Sequence, residues 1–249
     1  MSGSSFVKIR DRSMSSWYTA ASRRSILGMA VAAAGMAGAW GRPVLAAGEE
    51  PAPNAISPDE ALQRLMDGNA RYAANAPMPK DYAAGREARV SAQHPFASIL
   101  ACADSRIPPE IVFDQGPGDL FVVRVAGNFV NDDLLASLEY GSAVLGVPLL
   151  MVLGHSGCGA VDATIKVIQQ GAELPGHLPG LAKALEPGVQ KAIDAKPANL
   201  LDAATTENVR ANVARLQAAT PVVAELVASG KVKVVGAVYD IATGKVSMI

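Results

Sequence analysis

The sequence predicts an α/β fold in which a mostly parallel β-sheet is flanked by helices. From residue 98 onwards, short aliphatic runs alternate with longer amphipathic segments, and strand and helix candidates follow one another singly. The composition agrees, since half of the residues are hydrophobic and only 5% are aromatic. Such alternation is typical of parallel sheets, because parallel neighbours are joined by crossover helices. The 249 residues are enough for one domain with a sizeable core.

The domain is predicted to begin with a helix. Ser57 is a candidate N-cap, Pro58 suits the first helical position, and Glu60 would complete a capping box. The apolar positions that follow share one face, and the helix is expected to run to about Ala74. Residues 75–89 are then expected to form a polar loop with short helical pieces.

The remaining elements are predicted from hydrophobic periodicity. Strands are expected where aliphatic runs are bounded by turn residues, and helices where apolar residues recur every three to four positions. The strand candidates are residues 98–102, 120–125, 147–153 and 232–239, with a short edge strand at 245–249. The helix candidates are residues 133–145, 160–170, 178–195 and 200–229, the last broken at Pro221.

The N-terminus is predicted to be an export signal. The pair Arg23 and Arg24 precedes a weakly hydrophobic run rich in alanine and glycine, and small residues suited to cleavage follow around Ala46. This pattern resembles a twin-arginine signal, and the run is shorter than the roughly 20 residues of a membrane span. The alternatives are an uncleaved signal anchor and a chance arginine pair in a disordered tail. We therefore expect a periplasmic protein with no membrane attachment after cleavage.

The predicted organisation is an export signal at 1–46, a linker at 47–56 and a single α/β domain at 57–249.

Charge argues against nucleic acid as a partner. The formal net charge is −1 at pH 7. The predicted signal holds six basic residues and one acidic residue, which leaves the rest of the chain acidic. A nucleic-acid-binding domain is usually basic, with lysine and arginine gathered on one face. An acidic body without such a stripe therefore argues against nucleic-acid binding.

Two motifs at predicted strand ends suggest a metal site. Cys102 ends the first strand candidate, and His155 and Cys158 lie three residues apart in the glycine-rich turn after residues 147–153. In open α/β sheets, ligands bind outside the carboxyl ends of strands, where the strand order reverses. Two thiolates and one imidazole suit a borderline-soft ion such as zinc, and they leave one coordination position over, as in catalytic sites.

Other interpretations of the two cysteines are also open. A disulfide would suit an oxidising compartment, and inert buried thiols would need no partner. A cysteine nucleophile in the turn Gly157-Cys158-Gly159 would need a distant base, His94 or His177. A disulfide, however, leaves the neighbouring histidine and the Asp-Ser-Arg tripeptide after the first cysteine without a role.

Asp104 and Arg106 bear on whether the fourth metal position is open. Asp104 could ligate the ion and close the site, or it could form a charge-assisted pair with Arg106 and leave that position to water. In the second case the carboxylate would accept a hydrogen bond from the water and set its orientation.

Together these motifs resemble the β-class carbonic anhydrases, which carry C-x-D-S-R and H-x-x-C about fifty residues apart. The similarity runs from about residue 91 to 161 and resumes at 236–244. It implies a β-carbonic anhydrase-like fold with one Zn²⁺ per chain on Cys102, His155 and Cys158. It also implies reversible hydration of CO₂ to bicarbonate and a proton, by attack of a zinc-bound hydroxide.

The resemblance assigns further roles by matched position. Asp104 and Arg106 become the catalytic pair that orients the hydroxide. The family assembles as dimers or larger oligomers, so we expect a homodimer or tetramer in which the tyrosine of the substrate pocket comes from the partner subunit. The implied substrate-binding residues are Gln93, Phe121, Ala126, Tyr140 and Gly159.

One position departs from the family members that bicarbonate regulates. Those members carry a tryptophan three residues before the first zinc cysteine, where this chain has Ile99. We therefore expect an enzyme that bicarbonate does not regulate. Arg124 matches a position that binds the effector in regulated members, and Tyr239 lies near another such position. We expect Arg124 to form a subunit contact instead. Two alternatives to CO₂ hydration stay open. The chain could hydrolyse CS₂ or COS, as relatives with the same fold do, or it could bind zinc without catalytic turnover.

Overall fold

The structure, a computed structural model, describes residue 52 and residues 54–249. The predicted export signal and most of the predicted linker lie outside these residues, so both stay predictions. Within the described residues, no helix is both long and apolar enough to cross a membrane.

The helices and strands follow the predicted alternation. The helices are α1 (Pro58–Ala73), α2 (Ala88–Ser91), α3 (Pro109–Val112), α4 (Asp132–Glu139), α5 (Gly159–Gln170), α6 (Leu178–Ala195), α7 (Leu200–Gln217) and α8 (Val222–Ala228). The strands are β1 (Ala97–Ala101), β2 (Leu120–Arg124), β3 (Leu149–His155), β4 (Lys233–Tyr239) and β5 (Val246–Met248).

In the described part of the chain, these strands form one sheet in the order β2-β1-β3-β4-β5. Strand β1 pairs in parallel with β2 and β3, β3 pairs in parallel with β4, and β5 is the antiparallel edge. The mostly parallel sheet flanked by helices is therefore confirmed. The chain passes from β1 to β2 at one edge of the sheet, whereas it passes from β3 to β4 towards the opposite edge. The strand order thus reverses between β1 and β3.

Both faces of the sheet are covered by helices. Along β3, Met151 and Leu153 belong to the core cluster shared with α1, α5 and α6, whereas Leu150 and Val152 belong to the cluster shared with α4, α7 and α8. Successive strand residues point to opposite faces, so a continuous aliphatic run fills both layers. This explains why the central strands have no polar alternation.

Helix α1 begins as predicted, with one difference in its cap. Pro58 takes the first position, and the Ser57 hydroxyl accepts a hydrogen bond from the Glu60 amide at 3.1 Å. The Glu60 carboxylate does not close a reciprocal box but lies 3.4 Å from Arg64 Nη2. An i,i+4 ion pair along the helix therefore replaces the second half of the capping box.

The predicted helix 133–145 is divided. Helix α4 ends at Glu139 and continues as a π-helical turn over Tyr140–Val144, where the Leu145 amide donates to the Tyr140 carbonyl at 3.2 Å. A Cβ on Gly141 would lie 2.8 Å from Ser98 Oγ, so this turn runs close against β1. Apolar periodicity does not reveal such a turn, because one inserted residue changes the helical phase only locally.

Candidate metal centre

The candidate ligands lie at the carboxyl edge of β1 and β3, where the strand order reverses. Cys102 directly follows β1, His155 is the last residue of β3, and Cys158 precedes α5. Ala101 and Leu153 are partners in the parallel register, so the two ligand-bearing segments leave the sheet side by side. Strand β3 begins and ends two residues later than predicted, which places the histidine on the strand rather than in the turn.

The three donor atoms of Cys102, His155 and Cys158 lie within 4.8 Å of one another, and all three side chains are buried. Both cysteines are free thiols. His155 Nδ1 is 3.0 Å from the Ser156 carbonyl, whereas its buried Nε2 has no hydrogen-bond partner among the described residues. A buried polar atom without a partner is unfavourable unless something binds it. The two sulfurs and this nitrogen fit a zinc ion.

The turn between the second and third ligands is fixed to the end of β4. Gly157 has a φ of +65°, a left-handed conformation that glycine adopts without strain. The Ser156 amide donates to the Tyr239 carbonyl at 2.9 Å. The Ser156 hydroxyl accepts from the Ile241 amide at 3.0 Å and donates to Asp240 Oδ1 at 3.3 Å. This serine therefore holds the turn to the neighbouring strand through both its backbone and its side chain.

The proximity of the two buried thiols shifts their pKa values in opposite directions. The pKa of Cys102 is lowered, chiefly because the Cys158 thiol donates a hydrogen bond to it, and the Gly127 amide adds a second one at 3.2 Å. The pKa of Cys158 is raised because it keeps the shared proton and is buried. Cys102 is accordingly the better preformed thiolate of the pair.

Asp104 is held as a carboxylate by Arg106. The guanidinium makes a two-point contact, from Nε to Oδ1 at 2.9 Å and from Nη2 to Oδ2 at 2.7 Å, and the Arg106 amide also donates to Oδ1 at 2.9 Å. The side-chain hydrogen bonds from Arg106 hold the pKa of Asp104 far below its usual range. Oδ2 still lies 3.9 Å from His155 Nε2, so the paired carboxylate borders the ligand cluster.

Arg124 has a role that sequence reasoning missed. Its Nε donates to the Cys102 carbonyl at 2.9 Å and its Nη2 to the Asp104 carbonyl at 2.6 Å. Within one chain, this guanidinium therefore holds the backbone of the loop that carries Cys102 and Asp104, and the expected subunit contact stays a prediction. No sequence signal reveals this, because a backbone carbonyl is present at every position.

Two of the predicted pocket residues lie beside the ligands. Ala126 precedes Gly127, whose amide contacts Cys102 Sγ. Gly159 follows Cys158 and is the first residue of α5, where a Cβ would meet nothing within 4 Å. The space around the start of this helix is therefore open in the chain described here.

The other three predicted pocket residues lie elsewhere. Phe121 is the register partner of Ser98 near the start of β1, and its ring centroid is 6.2 Å from that of Tyr140. Gln93 and Tyr140 line a surface cavity of about 590 Å³ whose lining includes none of the ligands. Since a strand rises about 3.3 Å per residue, Phe121 is roughly 13 Å from Cys102 along the strand direction.

The remaining residues singled out by the sequence are separate from the ligands. Ile99 is fully buried in the core, and the Tyr239 hydroxyl lies 3.3 Å from that of Tyr72. His94 and His177 are exposed. Neither histidine belongs to the cluster of potential metal ligands found in the described residues.

Comparison with known proteins gives a consistent result. The carbonic anhydrase family model matches residues 97–246. A carbonic anhydrase of Mycolicibacterium smegmatis is 38% identical over 195 residues, which are 77% of this chain and 93% of that protein. Carbonic anhydrase 2 of Mycobacterium tuberculosis is 37% identical over 190 residues, 76% of this chain and 91% of that protein. The solved Coccomyxa β-carbonic anhydrase in complex with acetazolamide is 29% identical with a TM-score of 0.58, covering 76% of this chain and 86% of that one.

Proposed function

Because the chain belongs to the β-class carbonic anhydrases, we propose that it catalyses zinc-dependent, reversible hydration of carbon dioxide to bicarbonate and a proton. The observation that carries this proposal is the site itself. Two sulfur donors and one imidazole nitrogen, all buried, lie within 4.8 Å of one another, and a carboxylate held by a guanidinium borders them.

Cys102, His155 and Cys158 would hold one zinc ion per chain. The ion, when bound, makes a coordinated water acidic enough to provide a nucleophile near neutral pH. The imidazole of His155 is already oriented for metal binding. Its Nδ1 faces the Ser156 carbonyl, so Nε2 is the nitrogen that can coordinate the ion. Two thiolates and a neutral imidazole would balance the charge of the ion.

Asp104 would orient the attacking water, and Arg106 would keep Asp104 in place. The carboxylate is ionised and can therefore only accept hydrogen bonds, which selects one orientation of a neighbouring O–H group. The two-point contact with Arg106 opposes a swing of Asp104 into the fourth coordination position. The pair thus supplies orientation while the ion supplies acidity.

We further propose that a second copy of the chain completes the substrate pocket. Gln93, Phe121 and Tyr140 do not approach the ligands within one chain, yet the Tyr140 side chain and its neighbour Val144 are 47% and 65% exposed. A homodimer, or a tetramer built from dimers, would cover this surface and bring these residues to the ligands of the partner. The substrate residues Ala126 and Gly159 would come from the same chain as the metal.

The absence of bicarbonate regulation and the periplasmic location are also proposals. Ile99 fills the core where regulated members carry tryptophan, and the Arg124 guanidinium is engaged by two backbone carbonyls. Both features favour a permanently open site.

The proposal of a periplasmic location rests on the twin-arginine pattern. Expression of the full chain, with detection of the protein in the periplasmic fraction, would test it.

Stopped-flow CO₂ hydration, with metal content measured on the same sample, tests the main proposal. Activity should rise with bound zinc, fall on chelation and return when zinc is restored. COS and CS₂ hydrolysis should be assayed in parallel on the same preparation. A fully zinc-loaded protein that hydrolyses COS or CS₂ but leaves CO₂ hydration at the uncatalysed rate would overturn the proposed substrate.

A further inference from the structure

Helix α7 carries two asparagines on its buried face. The exposed fractions of Asn208 and Asn212 are only 2% and 6%. Asparagine is usually found at the surface, and a buried amide must find partners for its donors and acceptor. The partners of these two side chains lie in the loop after β2, about 80 residues earlier in the chain.

The two asparagines form a short hydrogen-bonded ladder that holds this loop. Asn208 Nδ2 donates to the Gly127 carbonyl at 2.8 Å, and Asn212 Oδ1 accepts from the Val130 amide at 2.8 Å. Asn212 Nδ2 donates back to the carbonyl of Asn208 at 2.8 Å and to its Oδ1 at 3.1 Å. Each amide orients the other, so the ladder acts as one unit on both ends of the segment 127–130.

The held loop contacts the metal centre directly. Gly127 receives the Asn208 hydrogen bond on its carbonyl and donates its own amide to Cys102 Sγ at 3.2 Å. Its φ of +81° suits glycine, and a Cβ there would lie 2.7 Å from Leu185 Cδ1 on α6. The position of this amide is therefore set by α7 on one side and by close packing against α6 on the other.

Helix α7 also supports the segment that carries the histidine. A Cβ on Gly154, the residue before His155, would lie 2.6 Å from Val209 Cγ2 and 3.2 Å from Thr205 Cγ2. The same buried face of α7 thus lies behind both segments that carry ligands. The Thr205 hydroxyl is buried and has no hydrogen-bond partner among the residues described, so replacing it by a methyl group removes no hydrogen bond.

We propose that Asn208 is a positioning residue of the metal centre, acting through Gly127. By holding the Gly127 carbonyl it aims the adjacent amide at Cys102 Sγ, and this hydrogen bond tunes the electron-donating strength of that thiolate towards the ion. Partners outside the ligand shell commonly change metal affinity by about 10- to 100-fold. The inference rests on the proposed metal site but assigns a function to a helix that supplies no ligand.

Asn208→Leu, with Thr205→Val as the matched control, tests this inference. Both changes are close to isosteric and lie one turn apart on the same buried face. Only the first removes hydrogen bonds, namely those of the Asn208 side chain with the Gly127 carbonyl and with Asn212 Nδ2. Co²⁺ affinity should be measured by competition with a chelator, together with the thiolate-to-cobalt charge-transfer band. We expect Asn208→Leu to weaken Co²⁺ binding by about tenfold or more and to shift the band. Thr205→Val should leave both unchanged.

A second variant keeps the test decisive if Asn208→Leu does not fold. Asn208→Ala leaves room for a water that can bond to the Gly127 carbonyl, so its affinity and band should lie between those of Asn208→Leu and the unsubstituted protein. A folded variant with Co²⁺ affinity within about twofold of the unsubstituted protein and an unshifted band would overturn the inference. If the unsubstituted protein itself fails to bind Co²⁺, the proposed metal site is wrong and the inference falls with it.

Discussion

The candidate metal centre and the predicted substrate pocket differ in whether a single chain brings their residues together. The ligand region, at the carboxyl ends of β1 and β3, brings three donors together and holds them with Arg124, Ser156 and the Gly127 amide. The pocket region, formed by Gln93 and Tyr140 with Phe121, lies near the start of β1 and is open to solvent. Under the proposed function, metal binding would need only one folded chain, whereas substrate binding would need two.

The difference follows from the origin of the residues in each region. The ligands extend from adjacent parallel strands, so folding of one chain is sufficient to gather them. The predicted pocket residues lie apart from the ligands, and in the proposed assembly a second copy of the chain brings them to a metal. The comparison predicts that changes in the ligand region affect metal binding, whereas changes in the pocket region affect assembly and catalysis with the metal retained.

Cys158→Ser should have the largest effect. A serine hydroxyl is a much weaker ligand than a thiolate for zinc, so we expect metal content close to zero and loss of CO₂ hydration by more than about 100-fold. Metal analysis of the purified protein and stopped-flow hydration would measure both. Ser105→Ala, in the exposed ligand loop, is the control and should keep its zinc. Near-stoichiometric zinc in Cys158→Ser would remove this residue from the ligand set.

Asp104→Ala should separate metal binding from catalysis within the ligand region. The variant should retain zinc but hydrate CO₂ about 100-fold more slowly, because the water loses its orienting acceptor. Asp162→Ala is the matched control, since Asp162 pairs with Lys166 on the exposed side of α5. The two variants should be compared at equal zinc content. Full activity in Asp104→Ala would exclude the carboxylate from the mechanism.

Val144→Asp tests the pocket region. A charge at this exposed position of the π-helical turn should weaken association and lower CO₂ hydration by about tenfold, while zinc content stays unchanged. Sedimentation equilibrium, metal analysis and hydration rates on one preparation would show this. Leu178→Asp places the same charge at another exposed apolar position, the start of α6, and should have no such effect. Unchanged association and activity in Val144→Asp would contradict a subunit contact at this surface.

Asp114→Asn should have the smallest effect on activity, because this residue belongs to neither region. Burial raises the pKa of Asp114, but hydrogen bonds from Lys80, Arg71 and the Met78 amide outweigh it and lower the pKa to about 2. The ionised carboxylate therefore stabilises the fold above pH of about 4, and this contribution is lost as the pH falls through about 2.

Chemical denaturation at a series of pH values would measure this contribution. Asp114→Asn should lower the free energy of unfolding by about 2 kcal/mol at neutral pH, and the difference should shrink as the pH falls below about 4. Zinc content and hydration at neutral pH should not change. A stability difference that stays constant down to pH of about 2 would show that the charge of Asp114 is not the cause.

The sequence by itself determined the sheet and the ligand set. Aliphatic runs bounded by turn residues located the strands, and β1, β2 and β4 begin and end within one residue of the predicted positions. The ligands could be identified because each of Cys102, His155 and Cys158 carries its chemistry in its own side chain. Parallel strands bring their carboxyl ends to one edge, so the local pattern was sufficient to place them together.

Only the tertiary structure decided what supports that site and what remains apart from it. Arg124 holds backbone carbonyls, and Asn208 reaches Gly127 across 81 residues. Neither contact leaves a signal in the sequence, because backbone groups occur at every position and the pairing depends on how α7 packs against the sheet. The separation of Tyr140 from the ligands of its own chain was expected only from the family resemblance, since a motif by itself gives residue types and spacing but not where an exposed side chain lies in the fold.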